Sequence, residues 1–276
     1  MLKLTHEYKR VVALISDLHV GSRFALWPED YTSPFDKSNI SAMMNPGQKK
    51  ILNYWKDFVK TCIDFKVDSI FLVGDATAGY NPKEHGMYMM TTDIEEQVEA
   101  TVRLLEPLCK GRKLAVWRGT PYHESLATNI KIHKAIAERL DGTYFDAVAN
   151  LKLTPSKRVA NVAHKSTGAI MYPETAMGRD MLTLKEAEAL GYLPTKIDVI
   201  IRAHRHKWCH IHKRGVHFIQ LPCWQAFIPW YGAVRWYTRM QPDLGGAIML
   251  IDSKDRIRVF HFLYPAVHIA DRTLKF

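Results

Sequence analysis

Val11–Ile15 is a compact apolar run that stops abruptly at the polar pair Ser16-Asp17, and that junction limits what the chain can become. An apolar run of this length without polar alternation reads as a strand buried on both faces, inside a sheet covered by helices. Ser69–Val73 repeats the pattern before Gly74-Asp75. Leu114–Trp117 does so before Gly119–Glu124, Val159–Ala163 before His164, and Ile197–Ile201 shortly before His204-Arg205-His206. Strands that all end in polar side chains can bring those side chains together along one edge. Two carboxylates and several imidazoles there suit hard or borderline divalent ions, which accept oxygen and nitrogen ligands alike.

Helical periodicity fills much of the space between these strands. Gln48–Phe65 carries Ile51, Leu52, Trp55, Phe58, Val59 and Cys62 at helical spacing. Thr92 with Glu95 makes a capping box that opens a helix running to about Cys109. Further helices are predicted over Asn129–Leu140 and Thr183–Leu190. Val20–Gly47 and Thr77–Met90 read as irregular insertions of a length that usually serves function or mobility. Ala147–Leu153 reads as a strand, and Trp208–Lys213, Val216–Leu221, Gly246–Ile251 and Ile257–Phe262 look like an antiparallel second half. No repeat or linker divides the chain. The expectation is one domain over 1–276, with loop or cap insertions near 20–47, 77–90 and 222–242.

Asp17-Leu18-His19 puts two side chains on one side of an extended backbone, because side-chain direction repeats every two residues. A carboxylate such as that of Asp75 has two oxygens and can bridge two cations. Each motif alone is a commonplace turn. Taken together and in this order, they resemble the calcineurin-like metallophosphoesterases, two-metal phosphate-ester hydrolases, over most of the chain. The resemblance implies a four-layer α/β/β/α sandwich, two mixed sheets flanked by helices. It implies Asp17, His19 and His206 on one metal, His164 and His204 on the other, and Asp75 as the bridge. Ala203 stands where the family has glycine, a mild change unless φ must be positive there.

The main departure lies at Gly119-Thr120-Pro121-Tyr122-His123-Glu124, where the family has Gly-Asn-His and an acid. His123 aligns with the catalytic histidine, and Glu124 with the acidic neighbour that would orient its ring. Thr120 stands in for the asparagine as a ligand, through its hydroxyl or carbonyl, or leaves that position to water. The cofactors implied are two divalent ions, manganese first, with zinc, iron, nickel or magnesium as alternatives. They would activate a water for attack on phosphorus while His123 assists the leaving oxygen.

A formal net charge of +10 favours polyanionic partners, nucleic acid first. Arg202, Arg205 and Lys207 cluster at the histidine motif as candidate substrate contacts. Trp224, Trp230, Arg235 and their neighbours interleave aromatics with arginines. That mixture suits stacking on unpaired bases and equally suits a cap over the sheet. Lys49-Lys50 and Lys157-Arg158 read as ordinary solvated charge, and the second His-x-His, His210 and His212, as a half-exposed strand. The expected function is phosphodiester hydrolysis by a nuclease acting on DNA or RNA. A phosphodiesterase or phosphatase of cyclic or mononucleotides is the alternative. A non-catalytic scaffold of the same fold, as in a retromer subunit, is more distant. A metal-dependent amidohydrolase would require an early His-x-His and a (β/α)₈ pattern. Cys62, Cys109, Cys209 and Cys223 form no CxxC pair, and no signal-peptide core or membrane-length apolar run is visible, so a cytoplasmic protein without membrane partners is expected.

Overall fold

The computed structural model describes residues 8–80, 85–124, 131–165, 173–193, 196–226 and 241–267. Two sheets form. The first contains β1 (Tyr8–Ile15), β2 (Ser69–Val73), β3 (Lys113–Trp117) and β4 (Thr143–Phe145) in parallel, with β10 (Leu244–Asp252) antiparallel to β1 and β11 (Ile257–Tyr264) antiparallel to β10. Its spatial order is β11-β10-β1-β2-β3-β4. The second contains β5 (Ala149–Lys152), β6 (Val159–Val162), β7 (Val199–Arg202), β8 (Cys209–Lys213) and β9 (Val216–Gln220) in the order β5-β6-β7-β9-β8, parallel at its centre and antiparallel at both edges.

Side-chain parity explains the layering. On β1, Val12 and Leu14 face the second sheet, where they meet Val162, Val199 and Ile201, whereas Val11, Ala13 and Ile15 face the helices. The uniformly apolar run is therefore buried on both sides, as its composition predicts. Three helices cover the outer face of the first sheet: α1 (Pro46–Asp64), α2 (Ile94–Cys109) and α3 (Ile132–Arg139). On the far side, α4 (Pro173–Ala189) lays Met177 against Val159, Ile200 and Phe218. The result is the four-layer α/β/β/α sandwich that the sequence implies. Among the described residues no helix is long and apolar enough to cross a membrane.

Several boundaries differ from the sequence expectation, each for a local reason. The α2 cap is Asp93, whose carboxylate accepts from the amides of Glu95 and Glu96, so the box at Thr92 does not form. Helix α4 begins ten residues before Thr183, because packing of Ala176 and Met177 on the second sheet extends a segment with little apolar periodicity of its own. The four late strands do not stay together: β8 and β9 join the second sheet, while β10 and β11 return to the first. Trp224 is wholly buried, edge-on to Trp55 at 5.0 Å and against Phe58 at 5.6 Å, so it is a core residue and not a stacking platform. The 20–47 segment is irregular apart from a 3₁₀ turn at Ile40–Met43 and the start of α1 at Pro46, yet Leu26, Trp27 and Tyr31 are buried in the same core.

Candidate metal centre

Because β1, β2 and β3 run parallel, the residues that follow them emerge at one end of the sandwich; those that follow β6 and β7 emerge beside them. Backbone hydrogen bonds stitch these exits together. Asp17 N–H donates to the Gly74 carbonyl (3.2 Å), His19 N–H to that of Asp75 (3.1 Å), and Ala203 N–H to that of His164 (2.9 Å). Across the sheets, His204 N–H donates to Asp17 Oδ2 (3.1 Å). Asp17, His19, Asp75, His204 and His206 all take left-handed φ angles, between +45° and +74°. Asp and His tolerate that region better than most residues, at an expense of about 1–3 kcal/mol each. Ala203 is not among the positive-φ residues, so alanine fits the family's glycine position without strain.

Three overlapping groups result: Asp17, His19 and His206; His19, Asp75 and His123; Asp75, His164 and His204. In the first, His19 Nε2 and His206 Nε2 lie 3.0 Å apart, and Asp17 Oδ1 lies 3.2 Å from His206 Nε2 and 3.7 Å from His19 Nε2. Bonds of about 2.0–2.2 Å to a single ion separate neighbouring ligand atoms by roughly 3.0–3.5 Å; two sides of this triangle fall in that range and the third lies just beyond it. In the third, His164 Nε2 lies 3.0 Å and His204 Nδ1 3.9 Å from Asp75 Oδ2. Asp17 Oδ1 and His164 Nε2 are buried without a hydrogen-bond partner, although His164 Nε2 is close to Asp75; it sits off hydrogen-bonding geometry, as two ligands of one ion would. Both His164 and His123 donate Nδ1–H to a backbone carbonyl, of Val73 and of Ala78, each at 2.7 Å. This fixes the tautomer and leaves Nε2 facing the centre. The donor set, oxygen and nitrogen at these spacings, fits a divalent metal.

The charges are interdependent. Burial would raise the Asp17 and Asp75 carboxyls, but the surrounding imidazoles outweigh it and hold both well below the usual range. Burial lowers His19 to about 4. It also opposes the His164 imidazolium, yet the charges of Asp75 and Asp17 prevail and raise that group to about 9. Ionised carboxylates in a buried site attract positive charge; the His164 imidazolium supplies it here, and would give up its Nε2 proton for a cation to be ligated there.

Two glycines make room for these groups. A Cβ on Gly74 would lie 2.4 Å from His164 Nδ1, and one on Gly119 would lie 2.2 Å from Asp75 Oδ1. Thr120 donates its amide to Asp75 Oδ1 (2.7 Å), with its hydroxyl 3.3 Å from both oxygens, so it is placed to hold the carboxylate. His123 Nε2 lies 3.6 Å from Asp75 Oδ2.

Glu124 does not orient His123. Its Oε1 accepts from Nδ1–H of His133 (2.5 Å), whose Nε2 accepts from the Ala76 amide (2.9 Å). The short turn at Pro121–His123 carries Glu124 past the His123 ring toward α3, and Ala78 holds the histidine in its place. The Glu124–His133 pair thus braces the loop that bears Asp75, a role the sequence reading missed. The available signal was a histidine on the apolar stripe Ile132, His133, Ile136 and Ala137. Gln97 was missed as well; its amide bonds to both the N–H and the carbonyl of Gly79, next to Ala78.

The proposed substrate contacts fare differently. Arg202 is buried, donating Nε to Asp180 (3.0 Å) and Nη2 to Asn161 (2.7 Å), so it does not face the centre. It shares parity with Ile200, on the α4 side of β7. Arg205 is half-buried beside His206, and Lys207 Nζ lies 3.4 Å from Asp243. Trp230 and Arg235 lie outside the described residues. His210 and His212 stay apart from the centre and stack on His217, with ring centroids 5.3 and 4.0 Å away.

No family model and no curated protein matches the sequence. Among solved structures, the chain is similar to an archaeal phosphodiesterase at 10% identity and TM-score 0.45, covering 91% of this chain and 99% of that one. It is similar to Vps29 from Entamoeba histolytica, complexed with zinc, at 13% identity and TM-score 0.43, covering 92% and 98%. A predicted phosphoesterase from Streptococcus pneumoniae gives 13% identity and TM-score 0.40, covering 94% of each. Likenesses at these values assign no chemistry to the chain.

Proposed function

We propose that the protein is a calcineurin-like metallophosphoesterase that hydrolyses phosphodiester bonds, with nucleic acid as its substrate. The observation that carries the reading is the position of Asp75, shared between a cluster with His19 and His123 and one with His164 and His204. Asp17, His19 and His206 would hold one divalent ion, and His164 and His204 the other, with Asp75 between them. Ions bound there would supply Lewis acidity, which lowers the pKa of a water and neutralises phosphate charge.

The chain's own residues supply orientation and proton handling. Thr120 holds Asp75 through its amide, and the Glu124–His133 pair fixes the adjacent Ala76 amide. Ala78 keeps the His123 proton on Nδ1, so Nε2 faces the reacting group and is free to carry a second proton toward the leaving oxygen. A net charge of +10, with Arg205 and Lys207 next to His206 in the chain, favours a polyanionic substrate.

The test is manganese-dependent cleavage of linear and circular, single- and double-stranded DNA and RNA, with Asp75→Asn as control. Cleavage that disappears in the control supports the reading, and the circular substrates separate endonucleolytic from exonucleolytic action. Turnover confined to cyclic or mononucleotide esters would move the substrate to the small-molecule class. Tight metal binding without turnover on any phosphoester would leave a scaffold.

A further inference from the structure

At the end of the sandwich opposite the metal centre, the chain forms an open basin of about 510 Å³. It is lined where strands begin: Lys152, Lys157 and Arg158 flank the β5–β6 turn, Lys196 precedes β7, and Lys254 sits in the β10–β11 turn. Two carboxylates share the lining, and both are engaged. Asp198 accepts from Arg158 Nη1 (2.7 Å) and from the Val159 amide (3.0 Å), while Asp255 accepts from Lys9 (3.0 Å). Among the described residues, no carboxylate pairs with the ammonium groups of Lys152, Lys157, Lys196 or Lys254. The basin therefore carries a net positive charge, with Val159 as the one apolar residue in its lining.

We propose that this basin is a second anion site, built for a ligand with several phosphates. Charge selects the class. Lys254 belongs to the first sheet and the other lysines to the second, so cations converge from both sides of the basin. Five cations against two engaged carboxylates leave three positive charges in excess, more than one phosphate of about −2 neutralises, and a match for a polyphosphate or successive phosphates of a polynucleotide. Arg158 anchors the middle: its Nε donates to the Asp255 carbonyl (2.8 Å) and Nη1 to Asp198, which hold the guanidinium rigid between the sheets. The site is separate from the metal centre. Val159 and His164 stand at opposite ends of β6, about 17 Å apart at 3.3 Å per residue, so one small ligand cannot occupy both.

The test measures binding of tripolyphosphate by calorimetry and of fluorescein-labelled oligo-dT by anisotropy. It compares the wild type with a Lys157→Glu/Lys196→Glu/Lys254→Glu variant. A Lys49→Glu/Lys50→Glu/Lys110→Glu variant carries the same change in net charge on the helical face and serves as control. All six lysines are exposed, so folding should be unaffected. The basin variant should bind tripolyphosphate at least about tenfold more weakly than the control. Equal affinity in the two variants overturns the proposal. Parallel loss of oligo-dT binding identifies a nucleic-acid backbone as the source of the phosphates, and retained oligo-dT binding identifies a free polyphosphate. Asp75→Asn keeps this proposal distinct from the function proposed above: it should abolish turnover while leaving tripolyphosphate affinity intact. Loss of that affinity in Asp75→Asn, with the basin variant unaffected, would place the anion in the metal centre instead.

Discussion

The two ends of the sandwich are built on the same strands by opposite means. At one end, short side chains stand on left-handed backbone, buried except for His204, with ligand atoms 3.0–3.9 Å apart. At the other, long lysines on exposed turns surround an open basin. The first arrangement gives position: an Asp or His has few rotatable bonds, and a strained turn leaves it little freedom. The second gives reach: a lysine points to where an anion is and gains little from a fixed geometry. The contrast predicts that the metal end is intolerant of small changes and the basin end of none but charge.

Substitutions can break or sharpen that contrast, and the largest effect belongs to the bridge. Asp75→Asn should lower turnover by about a thousandfold or more and reduce metal stoichiometry by atomic absorption. Full turnover would end the two-metal reading. Gly74→Ala comes next, since its Cβ would meet His164 Nδ1 at a φ of +75°. It should cost about 2–4 kcal/mol in denaturant unfolding and loosen the second ion. An unchanged midpoint would show that His164 moves freely. Glu124→Gln weakens a hydrogen bond outside the candidate ligand set, so roughly a 10- to 100-fold loss in metal affinity or activity is expected, with the fold retained. No loss would reduce the Glu124–His133 pair to a structural contact.

A smaller effect is expected on β9, near the basin end, where the His217 amide donates to the Asp198 carbonyl and its imidazole is lowered to about 4 by burial and by neighbouring His212 and His210. Its folded form stays neutral while the unfolded chain takes up a proton near pH 6.5. Stability from this group is therefore complete above pH 6.5 and falls progressively between 6.5 and 4, by on the order of 2 kcal/mol. His217→Gln should flatten that part of the stability profile relative to wild type; identical slopes would refute the assignment. Smallest of all, reversing Lys157, Lys196 and Lys254 should change the unfolding free energy by no more than about 0.5 kcal/mol each. A larger loss would mean that these lysines are structural.

What was legible in the sequence follows from the same contrast. Asp17, Asp75 and His164 could be placed because each ends a run whose apolar character alone marks a buried strand, and strand ends converge. Arg202 was misread although β7 contained the answer: it shares parity with Ile200, which faces α4. Glu124 was assigned to the nearest histidine in the chain, but α3 brings His133 closer in space. No periodicity marked the first half of α4, whose helical state depends on the sheet beneath it. The basin was invisible for a similar reason. Lys157 and Arg158 look like solvated charge until the β10–β11 turn brings Lys254 opposite them.

The placement of β10 has a temporal consequence. Val12 pairs with Met249, and the Trp224 amide donates to the Asp17 carbonyl (3.0 Å), so the support beneath the earliest candidate ligands comes from the far end of the sequence. Contacts of such separation form late and slowly. A chain emerging from the ribosome carries Asp17 and Asp75 through most of synthesis without His204 and His206, and with one flank of β1 bare. Assembly of the candidate ligand set therefore waits for β10 to complete the first sheet, and uptake of a metal ion would report that this strand is in place.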